Sequence, residues 1–183
     1  MARIFQIAQL GHPVLRLIAE PVAEIDAAVR ELVDDLFATS REANGAGIAA
    51  PQIYVSRRVF ILSIRPTPRY PHAPQMEPTA VINPEILRVA DTTEKDWEGC
   101  LSVPGIRGRV PRPTAIRVRY QGLDGETVER EFSGFAARVF LHEHDHLEGR
   151  TWLDHVEDNR DIVTEKEYLR LLQSGPPATG GTE

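Results

Sequence analysis

Residues 142–146 read His-Glu-His-Asp-His and lie in a segment that predicts the central helix of the protein. The predicted helix covers residues 133–148, and Gly149 follows it as a stop signal. His142 and His146 are four residues apart, so on a helix their side chains project from the same face. Two imidazoles in this arrangement can hold one divalent metal ion, which makes this helix a candidate metal-binding element.

The residues around these histidines predict further roles. Glu143 can reach a water on the metal without being a ligand, as the general base does in the HExxH pattern. His144 points roughly opposite to the two histidines and is interpreted as a non-ligand. Asp145 is interpreted as a hydrogen-bonding or ion-pairing residue. Arg138 stands where an apolar residue is expected, so it is predicted to extend to solvent or to pair with an acid such as Glu98.

A catalytic metal site needs a third protein ligand and one open position. The downstream candidates are Glu148, His155 and Glu157. The upstream candidate is Cys100, whose neighbour Gly99 would let the backbone approach a metal closely. Cys100 is the one cysteine of the chain, so an intramolecular disulfide is excluded, and the residue is a buried apolar group, a metal ligand or a nucleophile. A thiolate ligand would favour Fe(II), Zn or Co over Mg or Ca.

The segments around this helix predict an α+β fold with mostly antiparallel sheets packed around the helix that carries the HExxH motif. Residues 114–121 and 126–132 alternate apolar and polar side chains and predict a hairpin with one solvent-exposed face. The other predicted elements are helices over residues 24–43 and 161–173, a Gly/Ala-rich loop over 45–52, strands over 59–64, 79–82 and 85–90, and a proline-rich surface excursion over 65–78. The break between the last two strands is predicted at Asn83-Pro84.

The length of 183 residues predicts a single catalytic domain over residues 1–173, followed by a disordered tail over residues 174–183. No apolar run approaches the roughly 20 residues that span a bilayer. The N-terminus lacks the features of a secretory signal, so the cytoplasm is the expected location. The net charge of −6 argues against non-specific nucleic-acid binding, which relies on clustered positive charge.

Three blocks of the sequence resemble, in order, the signature blocks of the peptide deformylase family. Residues 45–52 read GAGIAAPQ, residues 98–102 read EGCLS and residues 142–149 read HEHDHLEG. The family patterns are GxGLAAxQ, EGCLS and HExDHLxG. The departure at a fixed position is Ile48 in place of leucine, and the resemblance covers roughly residues 3–155.

The resemblance implies a metal-dependent hydrolase that removes the N-formyl group from the initiator methionine of new polypeptides and releases formate. The implied metal ligands are Cys100, His142 and His146. Glu143 is implied as the general acid/base, which takes a proton from the metal-bound water that attacks the formyl carbon. The negative charge that develops on the formyl oxygen would be stabilised by the Gln52 side-chain amide and the Leu101 backbone N–H.

The resemblance also implies that the peptide substrate binds in an extended form along the first two blocks. The matching positions are Ala46, Gly47 and Gly99, whose small size would let another backbone come close. Val139 and Phe135 precede the first metal-ligand histidine by three and seven residues, and are expected to line an apolar pocket for the methionine side chain. Arg107 follows the second block and is expected to meet the peptide backbone.

A Cys/His/His site accepts Fe(II), Zn, Ni or Co, and the resemblance implies one divalent ion per chain with Fe(II) as the physiological metal. The expected partners are N-formylmethionyl nascent peptides, which implies transient proximity to the ribosome. Residues 157–173 hold five acidic against three basic residues, so no direct nucleic-acid binding is predicted for this segment.

Two other functional classes remain open from the sequence. A zincin-type endopeptidase shares the HExxH pattern and would have its third ligand downstream, so that Cys100 would be dispensable. A structural metal site or a catalytically inactive binding module would need a fourth protein ligand, either His144 or His155. Glu143 and Gln52 argue against the inactive module because a structural role requires neither of them.

Overall fold

The computed structural model describes residues 2–174, which form two antiparallel β-sheets and three α-helices. The helices are α1 (Ala27–Glu42), α2 (Gly134–Leu147) and α3 (Glu165–Ser174). The strands are β1 (Gly47–Ala49), β2 (Val59–Leu62), β3 (Thr79–Val89), β4 (Thr93–Cys100), β5 (Val103–Pro113), β6 (Ala115–Gln121), β7 (Thr127–Ser133) and β8 (Ile162–Thr164). The predicted α+β class is confirmed.

The larger sheet has the strand order β1-β2-β3-β6-β7, and every neighbouring pair is antiparallel. Its last two strands form the predicted hairpin, in which Ile116 lies opposite Phe132. Ile116 and Val118 are buried, whereas Arg117 and Arg119 are exposed. The hairpin was predictable because successive side chains of a strand point to opposite faces of the sheet.

A single strand, β3, replaces the two strands that were predicted on either side of Asn83-Pro84. Asn83 has a left-handed backbone with a φ of 49°, and the register against β6 shifts between Ile82 and Glu85. The Asn83 side chain accepts a hydrogen bond from the Val22 N–H and donates one to the Val22 carbonyl. The sheet therefore absorbs the proline at an irregular position instead of ending there.

The smaller sheet has the order β4-β5-β8, and the sequence analysis did not predict β4 and β5. Residues 93–113 are rich in glycine, proline and charged residues, so neither alternation nor an apolar run marks them as strands. β4 and β5 pair as a long hairpin whose register shifts between Glu98 and Cys100. This hairpin turns immediately after Cys100, at the place where β4 faces α2.

The helix α2 lies between the sheets and contacts β1, β2 and β7 of the larger sheet and β5 of the smaller one. Its buried Phe140 packs edge-on against Phe60 of β2, with ring centroids 5.0 Å apart. Phe132 of β7 lies 5.4 Å from the same ring. Gly149 follows the helix with a φ of 68°, which confirms the predicted stop signal.

The other two helices begin later than predicted. The helix α1 starts at Ala27 because the Asp26 carboxylate accepts a hydrogen bond from the Val29 N–H and caps the helix. The helix α3 starts at Glu165 because the three preceding residues add to β5 as the short strand β8. The helix predicted over residues 161–173 therefore combined the short strand β8 with the helix α3.

The predicted loop over residues 45–52 is replaced in part by regular structure, namely β1 and a 3-10 turn over Ala50–Ile53. A three-residue strand is too short to show a recognisable alternation of side chains in the sequence. It is identified as a strand by its antiparallel pairing with β2. Residues 65–78 form the predicted irregular excursion, with one isolated bridge between Thr67 and Tyr70.

The expected tail over residues 174–183 lies outside the described residues, apart from Ser174 at the end of α3. Within residues 2–174 no helix is both long enough and apolar enough to cross a bilayer.

Candidate metal centre and active site

Three potential metal ligands meet where the end of β4 faces α2. Cys100, His142 and His146 each provide one donor atom, and these atoms lie within 4.8 Å of one another. The Cys100 Sγ is 3.3 Å from the His146 Nε2, and both side chains are buried. Residues 2–174 contain no second group of three such ligands. One thiolate and two imidazoles fit Fe(II), Zn, Ni or Co, and a set of three ligands leaves the open position of a catalytic centre.

The downstream candidates for a third ligand each lie against another polar side chain. The partners are Arg58 for Glu148, Asp145 for His155 and Lys95 for Glu157, at 2.7, 2.9 and 3.1 Å. His144 lies 3.8 Å from Glu148 and outside the cluster of donor atoms, as expected for a non-ligand. The arrangement therefore favours the upstream cysteine over the ligands that a zincin or a closed structural site requires.

Neighbouring groups orient His142 and activate the Cys100 thiol. The His142 Nδ1 lies 2.8 Å from the Glu98 carboxylate, which leaves its Nε2 free for a metal. Burial alone would raise the pKa of the Cys100 thiol, but the charges of His146 and His142 hold that pKa well below its usual range. The favoured thiolate is the form of cysteine that binds metals.

The carboxylate of Glu98 belongs to a buried ion network. It accepts hydrogen bonds from Arg112 at 2.8 and 3.1 Å and from Arg138 at 3.0 Å, and the second pairing is one that the sequence predicted. Arg112 also pairs with Asp145 at 2.7 Å, and Asp145 lies 2.9 Å from His155. Asp145 therefore has the ion-pairing role that was expected for it.

Glu143 lines the same pocket as Cys100 and His142 and is 4% exposed. Its Oε2 has no hydrogen-bond partner among the described residues. Burial raises the pKa of Glu143 to about 7. A Cβ atom at Gly47 would lie 2.7 Å from the Glu143 Oε1, so the carboxylate occupies space that only glycine leaves free. A carboxylate with this pKa can exchange protons near neutral pH.

Gln52 is held in one orientation beside the cluster. Its Oε1 accepts a hydrogen bond from the Ala49 N–H at 2.8 Å. Its Nε2 donates to the Ser102 Oγ at 3.1 Å and approaches the Cys100 Sγ at 3.6 Å. The amide N–H group is thereby directed toward Cys100, one of the potential ligands. Leu101 follows Cys100 in the turn between β4 and β5 and also lines the pocket.

A pocket opens beside the cluster and brings together most of the predicted site residues. The predicted residues that line it are Ala46, Gly47, Gln52, Gly99, Cys100, Leu101, Phe135, Val139, His142 and Glu143. His146 is not among the lining residues because it is wholly buried behind them.

The pocket also contains residues that the sequence analysis did not assign to it. These are Arg69, Tyr70, Trp97 and Arg138, together with Gly45 and Glu98. Trp97 and Arg138 are close to predicted positions in the chain. Arg69 and Tyr70 come from the proline-rich excursion, which gave no signal of a functional role.

Arg107 differs from the other predicted substrate-binding residues because it does not line the pocket. Its side chain is wholly buried and donates two hydrogen bonds to the Glu165 carboxylate, at 3.0 and 2.9 Å. Its guanidinium carbon lies 5.0 Å from the ring centroid of Tyr70 and 4.4 Å from that of Tyr168. A Cβ at Gly99 would lie 3.1 Å from the Arg107 Nε, so the arginine packs behind the strand that borders the pocket.

Comparisons with known proteins identify the family of this chain. The family model described as polypeptide deformylase matches residues 4–161. A peptide deformylase 2 from Nostoc sp. is 51% identical over 170 residues, which cover 92% of this chain and 95% of that protein. A peptide deformylase from Thermotoga maritima is 36% identical over 171 residues, 93% of this chain and 98% of the relative.

A solved structure of a relative has the same fold. The Met-Ala-Ser-bound crystal structure of class I type b peptide deformylase from Acinetobacter baumannii is 44% identical and superimposes with a TM-score of 0.83. The match covers 85% of this chain and 100% of that one. The chain therefore belongs to the peptide deformylase family, whose members remove the N-formyl group from newly made polypeptides.

Proposed function

We propose that this chain hydrolyses the formyl group of N-terminal formyl-methionine with one divalent metal held by Cys100, His142 and His146. The observation that carries this assignment is the buried Glu143 carboxylate. One of its oxygens has no partner, and it lies in the same pocket as two of the proposed ligands. A buried acid without a partner costs stability, so its position is best explained by a role in the reaction.

The three proposed ligands suit a catalytic metal because their donor atoms converge and because Glu98 orients His142 from behind. When bound, the metal supplies a Lewis acid that lowers the pKa of water and polarises a carbonyl oxygen. We infer Fe(II) as the physiological ion, as in the family, although the donor set also accepts Zn, Ni and Co.

Glu143 is proposed as the general acid/base. Its pKa of about 7 lets the carboxylate accept a proton from the attacking water near neutral pH. The protonated acid then donates this proton to the amine that leaves as the formyl C–N bond breaks. Close packing of the carboxylate against Gly47 supports this role, because it limits the positions that the carboxylate can adopt.

Gln52 and Leu101 are proposed to stabilise the negative charge that develops on the formyl oxygen. The Gln52 amide supports this role because Ala49 and Ser102 fix both of its ends, which limits the orientations that the amide can adopt beside the pocket. The Leu101 backbone N–H is proposed as the second donor because this residue lines the pocket directly after Cys100.

The peptide is proposed to bind in extended form between two sheet edges. Gly47 belongs to β1, the edge strand of the larger sheet, and Gly99 belongs to β4, an edge strand of the smaller sheet. Both residues and Ala46 line the pocket, so an added chain could pair with either edge. Phe135 and Val139 are proposed to contact the methionine side chain.

The substrates of this reaction are nascent chains, so we infer that the protein acts in the cytoplasm and near the ribosome for part of each catalytic cycle. The acidic character of residues 157–173 supports an encounter through the nascent peptide and not through ribosomal RNA.

The assignment is tested by formate release from formyl-Met-Ala-Ser after anaerobic reconstitution with Fe(II). Glu143→Gln keeps the shape of the side chain but loses the base, and it is expected to lower kcat by about 10²- to 10⁴-fold. Glu126→Gln removes an exposed carboxylate from the turn before β7 and serves as the matched control. Parallel reconstitution with Zn, Ni and Co ranks the metals by the rate of formate release that each supports.

Cys100→Ser separates the functional classes. The deformylase assignment predicts loss of both bound metal and formate release from this variant. A peptidase with a downstream third ligand would retain metal and cleave internal peptide bonds. Absence of formate from a folded, metal-loaded wild-type protein would contradict the proposal.

A further inference from the structure

The proline-rich excursion and the C-terminal helix meet at one buried arginine behind the substrate pocket. Arg107 lies between the rings of Tyr70, from the excursion, and Tyr168, from α3. Glu165, in the first turn of α3, accepts two hydrogen bonds from the same guanidinium group. Three segments that are distant in the chain are therefore held together by one side chain.

Tyr70 extends this cluster into the pocket. Its hydroxyl donates a hydrogen bond to the Gly99 carbonyl at 3.2 Å, on the edge strand proposed to bind the peptide. Its ring centroid lies 5.3 Å from that of Phe135, which is proposed to contact the methionine side chain. Tyr70 lines the pocket without filling it, so a substrate can lie against it.

We propose that Tyr70 is a positioning residue for the peptide substrate and that α3 holds it in place through Arg107. The hydroxyl fixes the orientation of the Gly99 peptide unit, and the ring forms one wall of the methionine pocket. This inference rests on the proposed function for the roles of Gly99 and Phe135. It replaces the direct contact between Arg107 and the peptide that was expected from the sequence.

The excursion needs such support because its backbone supplies little of its own. The backbone–backbone hydrogen bonds of Tyr70 are a reciprocal pair with Thr67 and one from the Ala73 N–H, and the Tyr70 N–H also donates to the Thr67 Oγ1 at 3.2 Å. Residues 65–78 contain no helix or extended ladder that could hold the ring. The stack of Tyr70, Arg107 and Tyr168 supplies the missing restraint through a cation placed between two aromatic faces.

The contact between Arg107 and α3 is needed for a separate reason. The Arg107 side chain is wholly buried, and Glu165 is the carboxylate that pairs with it. A buried guanidinium that loses its carboxylate would shift toward other acceptors or toward water. Either movement would alter the face on which Tyr70 is stacked, so a change in α3 should be felt at the substrate pocket.

The first test is Tyr70→Phe, which removes the hydroxyl and keeps the ring. We expect the KM for formyl-Met-Ala-Ser to rise about threefold to tenfold, the effect of one lost hydrogen bond, while kcat stays within about twofold. Tyr120→Phe is the matched control, because Tyr120 lies in β6 outside the pocket lining. The Kd of the metal-loaded protein for Met-Ala-Ser, measured by calorimetry, should rise by the same factor.

The second test is Glu165→Gln, with Glu167→Gln on the same helix as its control. Glu165→Gln should raise the same KM, and combining it with Tyr70→Phe should give less than the product of the single effects, because both act through one contact. An unchanged KM and Kd in both variants would overturn the inference. A lower KM for Tyr70→Phe would also overturn it, because the hydroxyl would then compete with the peptide.

The calorimetric measurement separates this inference from the proposed function. A wild-type protein that releases no formate, but whose affinity for Met-Ala-Ser depends on Tyr70, would contradict the function and support the positioning role. An active wild-type protein with an unchanged KM and Kd in Tyr70→Phe would do the opposite.

Discussion

Two glutamates of this protein each form ion pairs with two arginines. One group of three residues lies beside the active site, and the other lies on an exposed face of the larger sheet. The bridging residues are Arg112 and Arg138 for Glu98, and Arg117 and Arg119 for Glu129. The contact distances are 2.8–3.0 Å in the first group and 2.8–2.9 Å in the second. The side chains of the first group are 4–8% exposed, whereas those of the second are 37–53% exposed.

Contact distances alone therefore do not measure what an ion pair contributes to stability. At the exposed glutamate, water and salt can replace either arginine at little cost. At Glu98 the side chains are almost wholly buried, and the carboxylate also orients the proposed metal ligand His142. Removing Glu98 would leave two buried cations and one ligand without their shared partner. The buried group therefore connects stability to the metal site, and the exposed group does not.

The largest effect is expected from Glu98→Ala. Loss of one partner from a buried ion pair lowers the free energy of unfolding by about 3–5 kcal/mol. Loss of the group that orients His142 should weaken metal affinity about 10- to 100-fold. Urea unfolding and competition with a chelator measure the two effects. Glu129→Ala is the matched control, and equal effects of the two variants would show that burial does not separate the two groups.

An intermediate effect is expected at Glu165, where one partner is buried and the other is about one-third exposed. Burial alone would raise the pKa of Glu165, but the hydrogen bonds and charge of Arg107 hold it below its ordinary value of 4.5. The resulting stabilisation is present above the unfolded pKa of 4.5 and is lost as the pH falls through the folded pKa.

Glu165→Gln should therefore be less stable than the wild type at pH 7, by no more than about 1 kcal/mol because water screens the pair. The difference between the two proteins should shrink as the pH falls below about 4.5. Urea unfolding across this range measures it, with Glu167→Gln as the control for removing one charge from α3. A difference that stays constant with pH would contradict the ion-pair explanation.

The smallest effect is expected from Glu129→Ala itself. Its shift in the urea midpoint should be no more than about a fifth of that for Glu98→Ala, and it should fall further as salt is added. Unfolding in low and high salt tests this expectation. A large shift that does not depend on salt would contradict the distinction between the two groups, because the exposed ion pairs would then behave as buried ones.

The features that could be predicted were those with a local pattern. The helix α2 follows from its spacing and stop signal, and the β6-β7 hairpin follows from alternation. The strands β4 and β5 escaped prediction because Gly, Pro and charged residues hide the pattern, although these strands carry Gly99 and Cys100. The bulge at Asn83 escaped because its stability comes from a distant partner, Val22.

The candidate site divides in the same way. The shared helix face of His142 and His146, with Glu143 beside them, could be predicted from the sequence because helical spacing depends on near neighbours alone. The resemblance already implied Cys100 as the third ligand, but its place beside the histidines, from 46 residues before His146, depends on the tertiary structure. The contact through which Arg107 and Tyr70 support the pocket depends on the tertiary structure as well. Such contacts depend on how sheets and helices pack. Burial then shifts the pKa values of the groups in contact and makes their ion pairs necessary, and no local sequence pattern contains this information.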